Sequence, residues 1–436
     1  MSEEISREKF VKGTVAGAMA TGLIGTSKTS WAGANDRIRV AQVGIRGRGN
    51  DHTGGWNRLK NVEIDTICDV DTRLFDGYIK KNFKRAPEPK KKVQDMRDVI
   101  DDKDIDVVSI ATPNHWHSLA AIWAMEAGKD VYVEKPCSHN VFEGRQMVNA
   151  ARKHDRICQH GTQIRSSAGI QEGIKHIRDG LLGEVYMARG LCYRWRGSIG
   201  TKPDSDVPKG VDYNLWQGPA EERAFSENRF HYNWHYHWAY GNGDIGNQGV
   251  HQMDICRWGL GVEHPNKVTS GSGMYLFDDD KEVPNVISTT FNFDDAGERG
   301  KIMAFDVRPW MTNDEKNAKV GVLFYGSEGY MVIDSYSHYK TYLGRDETPG
   351  PENNKGGDHY GNFIEAVRAH DRSILNAEIE EGHYSASLAH LGLISAKLGR
   401  TVNFDPKAEQ ITGDSEANSM LTRDYRKPFI VNEIKV

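Results

Sequence analysis

Gly44-Ile45-Arg46-Gly47-Arg48-Gly49 stands between an apolar run, Ile38–Val43, and a segment of helical character containing Trp56 and Leu59. Glycines at such a turn let the backbone approach a pyrophosphate at a helix N-terminus, because no Cβ stands in the way. A second apolar run, Val62–Cys68, ends at Asp69, 20 residues past Gly49. That spacing sets a carboxylate against the hydroxyls of an adenine ribose, so the segment is expected to bind a dinucleotide. It departs from G-x-G-x-x-G at the second glycine, where Arg46 stands. An acid at Asp69 favours NAD, since a carboxylate repels a 2′-phosphate. Arg46, Arg48 and Arg73 leave NADP open.

Further polar residues follow apolar runs in the same way. Thr112-Pro113-Asn114, with His117, comes after the run 106–111, and Glu134-Lys135-Pro136 comes after 130–133. Open parallel sheets bind ligands at the carboxyl ends of their strands, where these residues fall. The aromatic stretch Phe230-His231-Tyr232-Asn233-Trp234-His235-Tyr236-His237-Trp238-Ala239-Tyr240 precedes Asp244. Aromatic faces stack on sugar rings while imidazoles and amides bond hydroxyls, so the stretch fits a carbohydrate pocket lip. A packed aromatic core is the bland alternative. Zinc ligation by His231, His235 and His237 is another, but no acid or cysteine is arranged with them, and no metal is expected. Tyr193-Arg194-Trp195-Arg196 ends a strand-like segment and can supply polar and stacking groups. Gln163 and Arg165 follow the strand-like segment 157–159, where a second domain begins.

The elements that must position these residues are legible in outline. Strand-like and helix-like segments alternate through the first third, the signature of a doubly wound parallel sheet. Residues 265–345 alternate polar and apolar as antiparallel strands do, 348–358 reads as a Pro/Gly/Asn-rich loop, and 359–368 and 386–398 read as amphipathic helices. The tail 401–436 carries no motif. The chain has 436 residues, 38% hydrophobic, with 56 Lys+Arg against 61 Asp+Glu. That mild balance argues against a nucleic-acid partner, and no apolar run reaches the ~18–20 residues of a membrane span. Five cysteines, odd in number and without a C-x-x-C, argue against both a disulfide framework and a thiolate zinc site. Residues 1–34 read as a leader: Ser6-Arg7-Glu8-Lys9-Phe10, a weakly apolar stretch, then Ala32-Gly33-Ala34. This is like a twin-arginine export signal with Glu8 at the second arginine. Export is expected if the leader works, and a cytoplasmic location otherwise.

Taken together, Gly44–Gly49, Ala111-Thr112-Pro113-Asn114, Glu134-Lys135-Pro136 and Gly249-Val250-His251-Gln252-Met253-Asp254 resemble the Gfo/Idh/MocA oxidoreductase family. The resemblance implies an α/β protein: an N-terminal Rossmann domain (35–160) and a C-terminal α/β domain (161–436) built on a large, open, mostly antiparallel sheet. Helices near 358–400 would pack back on the Rossmann domain, and the sheet would carry a homo-oligomer contact. It also implies NAD(P) and a sugar, cyclitol or glycoside. The cofactor set is Gly44, Ile45, Arg46, Gly47, Gly49, Asp69, Thr112, Pro113, Asn114, His117, Glu134 and Lys135. The family's catalytic lysine matches Lys135 and its histidine matches His251. The acid four residues before that histidine is here Asn247, which can hold a tautomer but supplies no charge. Asp244 and Asp254 are candidate substitutes. His251 would take a hydroxyl proton while Lys135 stabilises the oxygen. Candidate substrate contacts are Arg165, Tyr193, Trp234, His235, Asp244 and His251. The leading expectation is oxidation of a secondary hydroxyl. Redox-neutral NAD-dependent glycoside cleavage and a non-catalytic sugar or nucleotide sensor are the alternatives.

Overall fold

β-Branched and apolar runs, with a polar edge segment added on either side, build a six-stranded parallel sheet: β1 (Ile38–Val43), β2 (Val62–Cys68), β3 (Lys91–Val93), β4 (Val107–Ile110), β5 (Asp130–Val133) and β6 (Cys158–His160), the edges being β3 and β6. The computed structural model describes residues 37–436, so the expected leader at 1–34 lies outside the described residues. Strand order is β3-β2-β1-β4-β5-β6, which reverses between β1 and β4 and opens a crevice at their carboxyl ends. Helices cover both faces, so β4 and β5 are buried on every residue. No helix among the described residues is long and apolar enough to cross a membrane.

The second sheet has ten strands in the order β14-β13-β12-β11-β7-β10-β9-β8-β15-β16. They are β7 (Val185–Cys192), β8 (Lys267–Gly273), β9 (Val286–Phe293), β10 (Lys301–Val307), β11 (Val320–Gly326), β12 (Gly329–Ile333), β13 (His338–Leu343), β14 (Thr348–Asn354), β15 (Val402–Asp405) and β16 (Gln410–Thr412). Only β7 and β10 pair in parallel. The helix Gly249–Leu260 lies close against one face. A Cβ at Gly249 would sit 2.3 Å from the Phe305 ring, so glycine is what lets the helix carrying His251 approach this sheet.

Three sequence expectations change here. The loop expected at 348–358 begins with β14, an edge strand paired only to β13; the edge tolerates Pro349 and Pro351, which lack an N–H to donate. The second helix runs Ile379–Leu398 and is buried nearly all round rather than amphipathic, because it lies between the two sheets. Its Ile379 and Ala386 join the core beneath β4 and β5, while Leu388, Leu391 and Ile394 join that of the large sheet. The tail does have a role. β15 and β16 extend the large sheet, and Phe429, Val431 and Ile434 pack into the core of the parallel one. Tyr360 and Phe363, from the helix His359–Ala369, pack on Trp56 on the other face of the parallel sheet.

Candidate active site

A cleft of about 610 Å³ opens where β1 and β4 diverge, and its far wall comes from the second sheet and the 230–251 region. On the near wall the glycine turn is shaped by steric necessity. Gly44 has φ +83°, and a Cβ there would lie 2.6 Å from the Ala111 carbonyl oxygen that follows β4, while one at Gly49 would lie 2.1 Å from the Gly44 oxygen. A dinucleotide needs such a side-chain-free cradle beside a carboxylate, and both are present. Asp69 borders the cleft with Arg46, Gly47 and Arg48. Its Oδ2 accepts the Ile45 N–H (3.0 Å) and its Oδ1 the Asp71 N–H (3.0 Å). Burial nevertheless pushes the Asp69 carboxyl up to about 6. Ile45 itself turns into the core and serves only through its backbone.

Thr112, Pro113, Asn114 and His117 line the same cleft. His117 bridges two turns, Nδ1 lying 2.6 Å from the Pro136 carbonyl and Nε2 2.7 Å from that of Thr112. Glu134 also lines the cleft, and protein groups fix it there. Its Oε1 accepts from Arg48 Nε (2.7 Å) and His52 Nε2 (3.0 Å), and its Oε2 from the Lys135 N–H (3.2 Å). Ser109, which also receives Trp56 Nε1, meets His52 Nδ1 at 2.9 Å and completes the relay. Burial works against the Glu134 charge, yet Arg48, His52 and Lys135 together hold it well below the usual carboxylate range. Arg48 and His52 form one clamp because they lie four residues apart on one helix face.

Lys135, Asn247 and His251 meet in this cleft. The Lys135 ammonium donates to the Asn247 backbone carbonyl and lies 3.4 Å from its Oδ1. Burial, reinforced by the Arg48 and Arg196 cations, brings Lys135 down to about 8. Asn247 thus addresses the lysine rather than the histidine, against the expectation that it sets the His251 tautomer. His251 Nδ1 is buried without a hydrogen-bond partner, and its ring lies against Tyr336, centroids 5.1 Å apart. Burial, then the Lys135 charge, holds His251 well below its ordinary value, so the imidazole is neutral near pH 7. Neither candidate substitute acid reaches it. Asp254 takes Arg165 Nε at 2.8 Å and Ser385 Oγ at 2.6 Å, and Asp244 takes Arg196 at 3.0 Å.

The expected substrate contacts divide. Trp234 borders the cleft, as do Tyr232 and His231. His235 is buried behind the lip, Nδ1 on the Tyr232 carbonyl at 2.6 Å. Asp244 also stays behind the wall, supporting Arg196, which does line it. Arg165 lies away from the cleft in a buried ion pair with Asp254, since a charge there needs a close partner. Tyr193 points to the opposite face of the sheet, its hydroxyl on Glu315 at 2.6 Å, because alternation carries it to the side of Leu191 while Arg194 turns to the cleft. The three histidines weighed as zinc ligands diverge: His231 faces Asp71, His235 a carbonyl, and His237 Glu282. Elsewhere, His264, His383 and Glu409 cluster, with Glu409 clamped by Arg145. Sequence reasoning missed His52, Gln248 and Tyr336 as cleft or clamp residues. Tyr336 comes from the β12–β13 connection, remote in sequence from the helix it touches, and carries no local signal.

A dinucleotide turn at a switch point, faced across a cleft by an open ten-stranded sheet, defines a Rossmann protein of two-sheet construction. Its kinship is more particular. The Gfo/Idh/MocA model described as "Oxidoreductase family, NAD-binding Rossmann fold" matches residues 38–162, and that of the family's C-terminal alpha/beta domain matches 174–298 and 313–431. The chain belongs to this family. A glycosyl hydrolase family 109 protein of Shewanella pealeana is 32% identical over 154 residues, 34% of each chain. An alpha-N-acetylgalactosaminidase of Shewanella oneidensis is 30% identical over 153 residues, 34% of this chain and 33% of that one. The matched part therefore spans about a third of the length of these curated relatives. In fold, the chain is similar to an aldose–aldose oxidoreductase of Caulobacter crescentus (TM-score 0.63, 19% identity, 84% of this chain and 100% of that one). It is similar also to a levoglucosan dehydrogenase solved with NADH and levoglucosan (TM-score 0.64, 17% identity, 84% and 99%).

Proposed function

We propose that the protein is an NAD-dependent oxidoreductase acting on a secondary hydroxyl of a sugar, cyclitol or glycoside. The observation that carries this reading is that one cleft joins the glycine cradle and Asp69 to Lys135 and His251. NAD bound there would supply the hydride acceptor. His251, neutral near pH 7, takes the hydroxyl proton. Lys135, protonated below about pH 8, stabilises the negative charge growing on the same oxygen. Asn247 is a positioning residue that holds the ammonium toward the cleft, and the Arg48–Glu134–His52 clamp fixes the loop on which Lys135 sits. Tyr336 and Trp234 restrict water on the substrate side.

The similarity to glycosyl hydrolase family 109 proteins favours one second reading, glycoside cleavage with no net change in the cofactor. A panel of sugars and nitrophenyl glycosides, followed for both NADH and released nitrophenol, separates the two. NADH accumulating with a sugar supports the oxidoreductase. Nitrophenol released in an NAD-requiring reaction without NADH supports the glycosidase. Neither product with any member of the panel would sink both.

A further inference from the structure

Charge is distributed unevenly over the substrate side of the cleft. Lys135, Arg194 and Arg196 all line it. The acids nearby are already committed: Glu134 to Arg48 and His52, and Asp244, behind the wall, to Arg196. That leaves Lys135 and Arg194 with no carboxylate partner among the described residues, and Lys135 is needed at the reacting hydroxyl. Arg194 follows the end of β7, on the wall opposite the glycine cradle, so it is not placed for the pyrophosphate that the cradle and Arg46 would hold. It is nonetheless anchored. Nη1 donates to Gln248 Oε1 at 2.6 Å, and the Gln248 amide is fixed in turn by Tyr336 (2.8 Å), the ring that packs on His251. A neutral amide steadies the guanidinium without compensating its charge, and the other N–H groups of the fork are left for a ligand.

We propose that the substrate is an anionic sugar, carrying a carboxylate or a sulfate ester that Arg194 engages while Lys135 and His251 address the hydroxyl. The inference rests on the sugar-binding reading above and narrows it. Arg194 is exposed, so solvent screens part of the contact, and a two-point, charge-assisted contact between its guanidinium and a carboxylate or sulfate distinguishes an anion from its neutral counterpart by about 3–10-fold in affinity.

The test is calorimetric binding to the full chain loaded with NAD, using matched pairs: methyl glucuronide against methyl glucoside, methyl galacturonide against methyl galactoside, and glucose 6-sulfate and galactose 6-sulfate against their parent sugars. At least one anion should bind about 3–10-fold tighter than its neutral partner, and whether it is a uronide or a sulfate identifies the group. Arg194→Gln should collapse that gap, and Arg194→Lys, which keeps the charge but not the fork, should retain part of it. Equal affinities within every pair, or a gap that survives Arg194→Gln, would overturn the proposal. Binding is read without turnover, so a failure of the oxidoreductase reading, no NADH from any sugar, is a separate result.

Discussion

Replacing Lys135 with methionine keeps most of the side chain's length and apolar stem and removes its charge, so it isolates the electrostatic role. The ammonium sits on the Asn247 carbonyl in a buried wall of the cleft. A unit charge about 4 Å from a developing alkoxide, at an effective dielectric of about 20, contributes about 4 kcal/mol. The oxygen carries only part of a charge in the transition state, so the loss in kcat should be about 10²–10³-fold. The pH profile gives a sharper signature. With Lys135 at about 8, roughly 90% of it is protonated at pH 7 and roughly 10% at pH 9. Wild-type kcat/KM should therefore fall through pH 8, approaching tenfold per unit. His251, held well below its ordinary value, adds no transition between pH 7 and 9. Initial rates of NADH formation at saturating NAD measure both quantities, with NAD affinity followed separately by fluorescence. In Lys135→Met the alkaline limb should vanish, and in Lys135→Arg it should move beyond the accessible range. Activity that rises through pH 8 in the wild type would mean the neutral amine is the base. A limb that persists in Lys135→Met would refute the assignment altogether.

Two further outcomes follow from the same geometry. Arg165→Met strips both Arg165 bonds from the buried Asp254 carboxylate, leaving Ser385 Oγ at 2.6 Å and Arg257 at 4.0 Å. Urea unfolding should show a loss of about 3 kcal/mol, and a loss under about 1 kcal/mol would mean that Arg257 replaces the pair. Asp69 accepts a ribose hydroxyl best when ionised and titrates at about 6, so NAD affinity should fall as pH drops through 6. Asp69→Asn should bind NAD weakly and without that dependence; a pH transition surviving in the variant would point to another group.

What the sequence determined by itself is local. β1, the glycine turn and Asp69 are legible because a buried strand, a Cβ-free turn and a carboxylate 20 residues on are properties of one contiguous segment. The same holds for the alternation of strand and helix, which predicts the parallel sheet, whereas its strand order and switch point come from the tertiary structure. β14 was hidden because proline reads as a loop until the position proves to be an edge. Segment 386–398 reads as amphipathic because the burial of the helix Ile379–Leu398 comes from two sheets that approach it from different sides, which no local pattern records. The side-chain partners are tertiary throughout. Glu134 is spent on Arg48 and His52, more than 80 residues earlier, and Asn247 meets Lys135 across 112 positions. Arg165, expected near the substrate, is claimed by Asp254, 89 residues later. Buried charges take whichever partner the packing brings within reach, because leaving one unpaired costs several kcal/mol. That cost is settled only when the sheets close on each other. Residue types and spacing therefore specify which groups are present, while the closure of one sheet over the other decides which remain open to a ligand.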